Sequence, residues 1–244
     1  SGAGISFEFI LFENLSDFLL LKNMKKILAL VLLSVFVCAS SFADAIKVAC
    51  VGDSITYGSG IKDRANDSYP AQLGKILGEG YDVRNFGVGG ATLLSKGNKP
   101  YVQTDQFVPA MRFLPDIVII KLGTNDSKPF NWIYKSEFEG DLNSLIDSFS
   151  NLPSKPVIFL CRQVPAYQDK WGITESVIAG EIFPIIKKIA KERGITVIDM
   201  HTPLENKENL FPDKIHPNAE GAKIMAQTAA EYVNKAPVKM VSSK

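Results

Sequence analysis

The sequence predicts an α/β fold in which one parallel sheet of five strands lies between two layers of helices. From residue 46 onward, five short apolar runs rich in β-branched residues alternate with segments whose apolar residues recur at helical spacing. The third and fourth runs are almost continuously hydrophobic, which is typical of strands that are covered on both faces. Strands that alternate with helices favour right-handed parallel crossovers over hairpins.

The strand and helix candidates follow each other along the chain without an internal repeat. The expected strands are IKVACVG (46–52), YDVRNFGV (81–88), PDIVIIKLG (115–123), KPVIFLCRQV (155–164) and ITVIDM (195–200). The expected helices lie at 68–78, 136–152, 175–194 and 217–235. Basic residues followed by Gly194 are typical of a helix C-terminus, and Pro217 suits a first helical turn.

The first 43 residues have the pattern of a targeting segment. Met24 begins MKKILALVLLSVFVCASSFADA, with two lysines, an apolar run and small residues before Asp44. This pattern predicts a signal peptide at 24–43, and therefore a periplasmic or secreted protein that has no membrane contact after cleavage. A lipoprotein signal and an uncleaved anchor are the alternatives, although the apolar run is short for a membrane span. Residues 1–23 are interpreted as an upstream extension or tag outside the fold, and residues 44–244 as a single domain.

The composition limits the classes of partner. The chain has 244 residues, of which 46% are hydrophobic and 22% charged, with a net charge of +1. This balance gives no basic surface for nucleic acid. The sequence contains no cysteine or histidine spacing typical of a metal site, and the first strand is not followed by a phosphate-binding glycine loop. We therefore expect no cofactor and no metal. Cys50 and Cys161 lie within strand candidates and are expected to be unpaired core residues, with a disulfide as the alternative.

Residues with catalytic potential follow four of the predicted strands. They are Asp53-Ser54 after the first strand, NFGVGG after the second, GTND after the third, and DKIHPN at a longer interval after the fifth. Because the carboxyl ends of parallel strands meet at one edge of the sheet, we expect these loops to converge. A hydroxyl, a glycine backbone, a carboxamide and an acid–histidine pair are the groups that acyl transfer requires.

The four blocks GDSIT, NFGVGG, GTND and DKIHPN, in this order, resemble those of the SGNH (GDSL) hydrolases. The resemblance implies a three-layer α/β/α sandwich with a flavodoxin-like five-stranded parallel sheet. It also implies that Ser54 is the nucleophile, His216 the general base and Asp213 the residue that orients His216. The backbone N–H groups of Ser54 and Gly89, together with the Asn125 side chain, would form the oxyanion hole.

Two acids in these blocks, and a second histidine outside them, have alternative interpretations. Asp53 and Asp126 are expected to accept hydrogen bonds from loop backbone rather than to act chemically. His201 and Asp199 form an alternative acid–histidine pair. We favour His216, because the resemblance assigns the base to it and because it lies on a loop that can fold back over the strand ends.

The loops near the expected site are polar and aromatic, which fits a sugar better than an acyl chain. The candidate substrate-binding residues are Tyr101, Trp132, Lys128 and Arg162, and the neighbouring loops also carry Tyr167 and Trp171. The segments GDSITYGSGI, NFGVGGATLL and NKPY are similar to those of exported bacterial carbohydrate acetylesterases, including sialate O-acetylesterases.

This similarity implies deacetylation of a small-molecule or oligosaccharide ester through an acetyl-Ser54 intermediate. A lysophospholipase or thioesterase and a catalytically silent glycan-binding module are the alternatives. The sequence leaves open the sugar, the acetyl position, the acyl chain length and the oligomeric state.

Overall fold

One sheet of five parallel strands forms the centre of the protein. A computed structural model describes residues 45–237. The strand order is β2-β1-β3-β4-β5, and the strands are β1 (Ile46–Gly52), β2 (Tyr81–Gly87), β3 (Ile117–Lys121), β4 (Val157–Arg162) and β5 (Thr196–Asp199). Each neighbouring pair is parallel. The predicted α/β class and parallel sheet are therefore confirmed.

Helices cover both faces of this sheet. They are α1 (Ser54–Tyr57), α2 (Arg64–Asp67), α3 (Tyr69–Leu77), α4 (Phe107–Arg112), α5 (Pro129–Trp132), α6 (Phe138–Ser150), α7 (Glu175–Val177), α8 (Phe183–Arg193) and α9 (Ala219–Val233). Helices α3 and α9 pack on one face of the sheet, and α4, α6 and α8 pack on the other. The two apolar clusters between these layers form the core, as a three-layer sandwich requires.

Local chemistry explains where the helices differ from the predicted ones. The segment expected as one helix at 175–194 consists of α7, a π-helical turn at Ile178–Ile182, and α8. Pro184 lies in the first turn of α8, and its missing N–H interrupts the regular α-helical ladder at this point. Helix α4 was not predicted, because it is short and contains Pro109.

The predictions for the cysteines and the termini have different outcomes. Cys50 and Cys161 are buried and unpaired, which confirms the prediction for these two thiols. The predicted signal peptide at 24–43 and the upstream segment 1–23 lie outside the described residues and remain predictions. Among residues 45–237, no helix combines the length and the apolar character that crossing a membrane would need.

The strand order places a topological switch point between β1 and β3. The chain leaves β1 toward β2 on one side and later returns to β3 on the other side, so the loops after β1 and β3 diverge. Ligands of open α/β sheets bind in the crevice at such a point. Ser54 follows β1 and Asn125 follows β3, so both residues lie beside this crevice.

Two glycines allow α1 to pack directly against the ends of the strands. A Cβ atom at Gly87 would lie 2.2 Å from the backbone nitrogen of Tyr57, and one at Gly52 would lie 2.1 Å from Thr56 Oγ1. No side chain fits between the strand end and the helix at these distances. The close packing fixes the position of α1, whose first residue is Ser54.

We predict that Gly87→Ala lowers the free energy of unfolding by about 1–3 kcal/mol, because the new methyl group would overpack against a backbone. Gly140→Ala is the matched control. Gly140 lies within α6, and a Cβ atom there would have nothing within 4 Å. This control is expected to gain about 0.5–1 kcal/mol, because alanine is the better helix former. Urea denaturation of both variants measures the difference, and equal stabilities would contradict the packing argument.

Candidate active site

Three side chains from two distant loops form one hydrogen-bonded series. Ser54 Oγ lies 2.8 Å from His216 Nε2, although the two residues are 162 positions apart. His216 Nδ1 lies 2.7 Å from Asp213 Oδ2. The structure thus brings together the three residues that the sequence predicts as nucleophile, base and orienting acid. In this arrangement an imidazole can take the serine proton while a carboxylate fixes the imidazole's tautomer and orientation.

The orientation of Ser54 depends on the preceding residue, Asp53, which caps a helix and forms a buried ion pair. Asp53 is the N-cap of α1, and its Oδ1 accepts the N–H of Ile55 at 2.9 Å. Its carboxylate also lies 3.4 Å from Lys121 Nζ, and neither side chain is exposed. Because an isolated buried charge is costly, the carboxylate and the ammonium make each other's burial tolerable.

The loop that carries Asp213 and His216 is fixed by its own hydrogen bonds. Asp213 Oδ1 accepts the backbone N–H groups of His216 at 2.7 Å and Ile215 at 3.0 Å. Burial alone would raise the pKa of Asp213, but these bonds and the His216 ring outweigh it and hold that pKa below its usual value. The Asp213 carboxylate therefore stays ionised opposite the imidazole at neutral pH. After this loop, Asn218 caps α9 by accepting the N–H groups of Glu220 and Gly221.

The three predicted oxyanion donors lie on the loops after β1, β2 and β3. Within residues 45–237, the backbone N–H groups of Ser54 and Gly89 donate to no protein acceptor. Asn125 is 2% exposed, and its Nδ2 donates to Ala91 O at 3.1 Å. An amide nitrogen has two hydrogens, so one N–H of Asn125 is left for a ligand. Asn131 holds the Asn125 backbone by donating to its carbonyl at 2.8 Å.

Asp126 connects two of these loops. It is fully buried and accepts the N–H groups of Leu93 at 3.0 Å and Leu94 at 2.8 Å. Burial raises the pKa of Asp126 to about 7, against the opposing effect of these donors. The predicted role of Asp53 and Asp126 as acceptors for loop backbone is confirmed.

Two of the predicted substrate-binding residues were wrong, because both side chains are part of the core. Tyr101 is fully buried, and its hydroxyl donates to the Phe86 carbonyl at 2.9 Å. Trp132 is 8% exposed, packs on Phe138 and donates to Glu181 at 3.0 Å. Both rings stabilise the loops that surround the site, and neither is available to a ligand.

The two basic candidates differ from each other. Arg162 Nη1 lies 3.4 Å from Asp199 and 3.1 Å from Thr202, and its guanidinium lies over Phe183. Arg162 thus connects the ends of β4 and β5. Lys128 is half-buried and forms no salt bridge with the described residues; burial lowers its pKa, and the nearby Asp53 carboxylate opposes this shift. The prediction that Lys128 contacts substrate remains open to test.

The alternative histidine contacts other groups. His201 is 7% exposed, and its Nε2 lies 3.0 Å from Glu175 Oε1. Asp199 accepts the backbone N–H groups of His201 and Thr202 instead of the imidazole. Of the two histidines in the sequence, His216 is therefore the one hydrogen-bonded to Ser54. The described part of the chain contains no group of three or more histidine, cysteine, aspartate or glutamate residues that could hold a metal ion.

Sequence reasoning missed two features of the site. Trp171 is 55% exposed, and its ring centroid lies 5.7 Å from that of His216. The sequence marked Trp171 as one loop aromatic among several, and only the fold brings it to the histidine. The ion pair of Lys121 with Asp53 was also missed. The sequence feature that could have indicated this ion pair is the lysine in the otherwise apolar strand IVIIK.

Comparisons with known proteins identify the group to which the chain is similar. The family described as GDSL-like lipase/acylhydrolase matches residues 50–224. The chain is 45% identical over 208 residues to an acetylxylan esterase of Xylanibacter ruminicola, covering 78% of this chain and 43% of that protein. It is 25% identical over 235 residues to a multidomain esterase of Ruminococcus flavefaciens, covering 80% of this chain and 29% of that protein. The chain thus spans less than half the length of these curated relatives.

Solved structures support the same fold. A carbohydrate acetylesterase family member from Sinorhizobium meliloti has a TM-score of 0.60 and 20% identity, with 78% of this chain and 98% of that chain covered. At this identity the likeness establishes the fold alone. It confirms the three-layer α/β/α sandwich with its five-stranded parallel sheet.

We predict that Asp126→Asn removes a pH dependence from stability. The pKa of Asp126 is about 7 in the folded protein and near the ordinary 3.8 in the unfolded chain. Between these values the folded state binds a proton that the unfolded state has lost, so wild-type stability falls as pH rises through this window. The stability of D126N relative to wild type should therefore increase from about pH 4 to 7 and level off above it.

Urea denaturation at a series of pH values measures this effect. Asp105→Asn, which removes an exposed carboxylate, is the control for a general change in charge. Parallel stability curves for wild type and D126N between pH 4 and 8 would contradict the prediction.

Proposed function

The chain belongs to the GDSL-like lipase/acylhydrolase family, and on this premise we propose that it is a serine esterase that removes O-acetyl groups from carbohydrates. The observation that carries the proposal is the hydrogen-bonded series from Ser54 Oγ through His216 to Asp213. Serine is a poor nucleophile until a neighbouring base accepts its proton. The series provides that base together with the acid that orients it.

The first half of the reaction transfers the acetyl group to the enzyme. Ser54 Oγ attacks the ester carbonyl carbon while its proton moves to His216 Nε2. The resulting imidazolium is stabilised by the Asp213 carboxylate, which remains ionised. Collapse of the tetrahedral intermediate breaks the bond to the sugar oxygen, which takes the proton from His216 as it leaves. Acetyl-Ser54 remains.

The second half repeats these steps with water. His216 takes a proton from water, the hydroxide attacks the acetyl carbon, and the bond to Ser54 Oγ breaks as Oγ recovers a proton from His216. Each tetrahedral intermediate carries an oxyanion, for which the N–H groups of Ser54 and Gly89 and the amide of Asn125 are the donors. Donors that the fold fixes in advance stabilise this charge without reorganising during the reaction.

An acetylated carbohydrate is the substrate class that the comparisons favour. The 45% identical relative is an acetylxylan esterase, which supports a neutral glycan. The chain also offers cations near the site for an acidic sugar such as sialate. Lys99 Nζ donates to the Gly89 carbonyl at 2.9 Å, and Lys128 is half-buried close to Asp53. In contrast, Lys96 pairs with Glu137. The proposal therefore covers acetylated xylan and acetylated sialate, and a substrate panel separates them.

The two alternatives receive less support. A lysophospholipase or thioesterase needs an apolar space for a long acyl chain near Ser54. A cavity of about 360 Å³ opens between the beginnings of β4 and β5 and the end of α9. It lies at the N-terminal ends of the strands, whereas Ser54 lies at their C-terminal ends. An acyl chain on Ser54 could not enter this cavity. A silent glycan-binding module would not need a hydrogen-bonded serine, histidine and aspartate.

Export is part of the proposal and rests on the sequence alone. The segment 24–43 has the charged start, apolar centre and small-residue exit of a signal peptide. A periplasmic or secreted location suits an enzyme whose substrate is a glycan outside the cell. N-terminal sequencing of the protein secreted by its own cells tests whether cleavage occurs after Ala43.

We predict that Ser54→Ala abolishes acetate release, whereas wild type releases acetate from at least one acetylated carbohydrate. The panel contains acetylated xylo-oligosaccharides, O-acetylated sialic acids and O-acetylated chitin fragments, with ethyl acetate, ethyl butyrate and ethyl octanoate alongside. Loss of the nucleophile removes the covalent route entirely. Continued hydrolysis by S54A would refute the assignment. Activity that rises from acetyl to octanoyl esters would instead favour the lysophospholipase alternative.

We predict that Asn125→Ala lowers kcat by about 10²–10³ with a small change in KM, because one fixed oxyanion donor is lost. Asn143→Ala is the control. Asn143 lies on α6, where its side chain bonds the Glu139 carbonyl and Arg193, away from the loops of the site. Steady-state kinetics of both variants on ethyl acetate measure the effect. A kcat for N125A within twofold of wild type would exclude Asn125 as an oxyanion donor.

A further inference from the structure

We propose that the exposed ring of Trp171 is the binding subsite for the sugar that leaves during acyl transfer. This inference rests on the proposed carbohydrate esterase function and names the part of the site that contacts the sugar ring. The inference is based on the packing of two rings. The centroid of the Trp171 ring lies 5.7 Å from that of the His216 ring, and the ring planes form an angle of 45°.

The chemistry of the reaction decides which half of the ester lies beside Trp171. The leaving sugar oxygen takes its proton from His216 Nε2, so it must lie within hydrogen-bond distance of that atom in the transition state. The acetyl carbon is instead bonded to Ser54 Oγ, and its oxygen faces the oxyanion donors. A side chain packed against the imidazole therefore borders the alcohol half of the ester rather than the acetyl half.

The segment that carries Trp171 is fixed relative to the histidine loop. Ile173 and Ala166 share a small buried cluster with Ile215, which is the neighbour of His216. The backbone N–H of Tyr167 also donates to the Lys214 carbonyl at 2.9 Å. The segment that carries Trp171 is thus held directly against the loop that carries the base.

The backbone at Trp171 is held in an unfavourable conformation. Its φ is 55°, in the left-handed region, and it is followed by Gly172 with φ 80°. A tryptophan in this region is strained, and such residues persist where the surrounding structure enforces them, often at functional sites. A Cβ atom added at Gly172 would lie 3.5 Å from Pro129 Cδ and 3.7 Å from Lys128 Cβ. The turn therefore rests on the loop after β3, which also supplies Asn125.

Trp171 differs from the three other loop aromatics considered from the sequence, Tyr101, Trp132 and Tyr167, in being open to a ligand. Tyr101 and Trp132 are buried, and the Tyr167 hydroxyl is used by the Leu204 carbonyl and the Lys207 N–H. Trp171 leaves 55% of its surface exposed. A large exposed aromatic face costs solvation free energy unless something covers it, and the C–H face of a pyranose ring is apolar.

Lys170 adds a polar group to the same subsite. Its Nζ lies over one face of the Trp171 ring, 4.8 Å from the centroid, and has no carboxylate partner among the described residues. An ammonium group has three N–H donors, which suits the hydroxyl groups of a sugar held against the ring. An apolar face bordered by such donors is suited to a pyranose.

The test compares one substrate that has a sugar with one that does not. We expect Trp171→Ala to lower kcat/KM on acetylated xylobiose by about tenfold, the loss that corresponds to about 1.4 kcal/mol of transition-state binding. On ethyl acetate, whose alcohol is too small to reach the ring, kcat/KM should stay within twofold of wild type. Trp171→Phe keeps an aromatic face and should recover most of the activity on the sugar ester.

Ile76→Ala is the matched control for removal of an exposed apolar side chain. Ile76 is 44% exposed near the end of α3, which leads to the beginning of β2 at the opposite edge of the sheet. Its kinetics on both substrates should equal those of wild type. Thermal unfolding of all three variants verifies that each one is folded.

Three results would overturn the inference in distinguishable ways. An equal loss on both substrates means that Trp171 acts only through the position of His216. Unchanged activity of W171A on the sugar ester excludes the subsite while the proposed function stands. Wild type that hydrolyses ethyl acetate but no acetylated carbohydrate refutes the proposed function, and the subsite with it.

Discussion

The buried ion pair of Asp53 and Lys121 is the constraint on which the geometry of the site depends. Asp53 directly follows β1 and caps α1, whereas Lys121 is the last residue of β3, so the pair joins the ends of the two strands beside the switch point. The cap orients the first turn of α1 and with it Ser54. Removing one partner of such a pair typically costs about 3–5 kcal/mol, because the other charge stays buried without compensation.

Hydrogen bonds from the loop after β3 extend this order to the neighbouring loop. Asp126 accepts two N–H groups at Leu93 and Leu94, and Asn125 donates to Ala91, so the segment that follows Gly89 is held from the β3 side. Donors fixed in this way need no reorganisation when an oxyanion forms, which is the larger part of their value in catalysis. The raised pKa of Asp126 reflects the cost of this arrangement, a carboxylate buried to hold backbone rather than to react.

Local sequence patterns were sufficient to predict the fold, and the resemblance to the SGNH hydrolases singled out the three residues that the structure joins by hydrogen bonds. Neither was sufficient for the substrate side. The β1 strand and its Asp53-Ser54 ending are visible in a single apolar run, and parallel topology alone brings the loop ends together. Exposure is different, because it depends on which segments pack over a ring. Tyr101, Trp132 and Trp171 look alike in sequence, yet two are core residues and one is open. The proximity of Trp171 to His216 depends on contacts between two loops that are far apart in sequence.

The groups expected to contact the acyl half of an ester are buried, whereas the ring expected to contact the alcohol half is exposed. An enzyme that removes small acetyl groups from large alcohols would need this difference. Ser54 is 9% exposed and Asn125 is 2% exposed, whereas Trp171, beside His216, is 55% exposed. Under the proposed function, the low exposure of the nucleophile and the amide suits a small acyl group. If the proposed subsite binds a sugar, the open aromatic surface beside the base places no limit on what continues from that sugar. A polysaccharide chain could therefore leave the subsite on both sides, which an enclosed pocket would not permit.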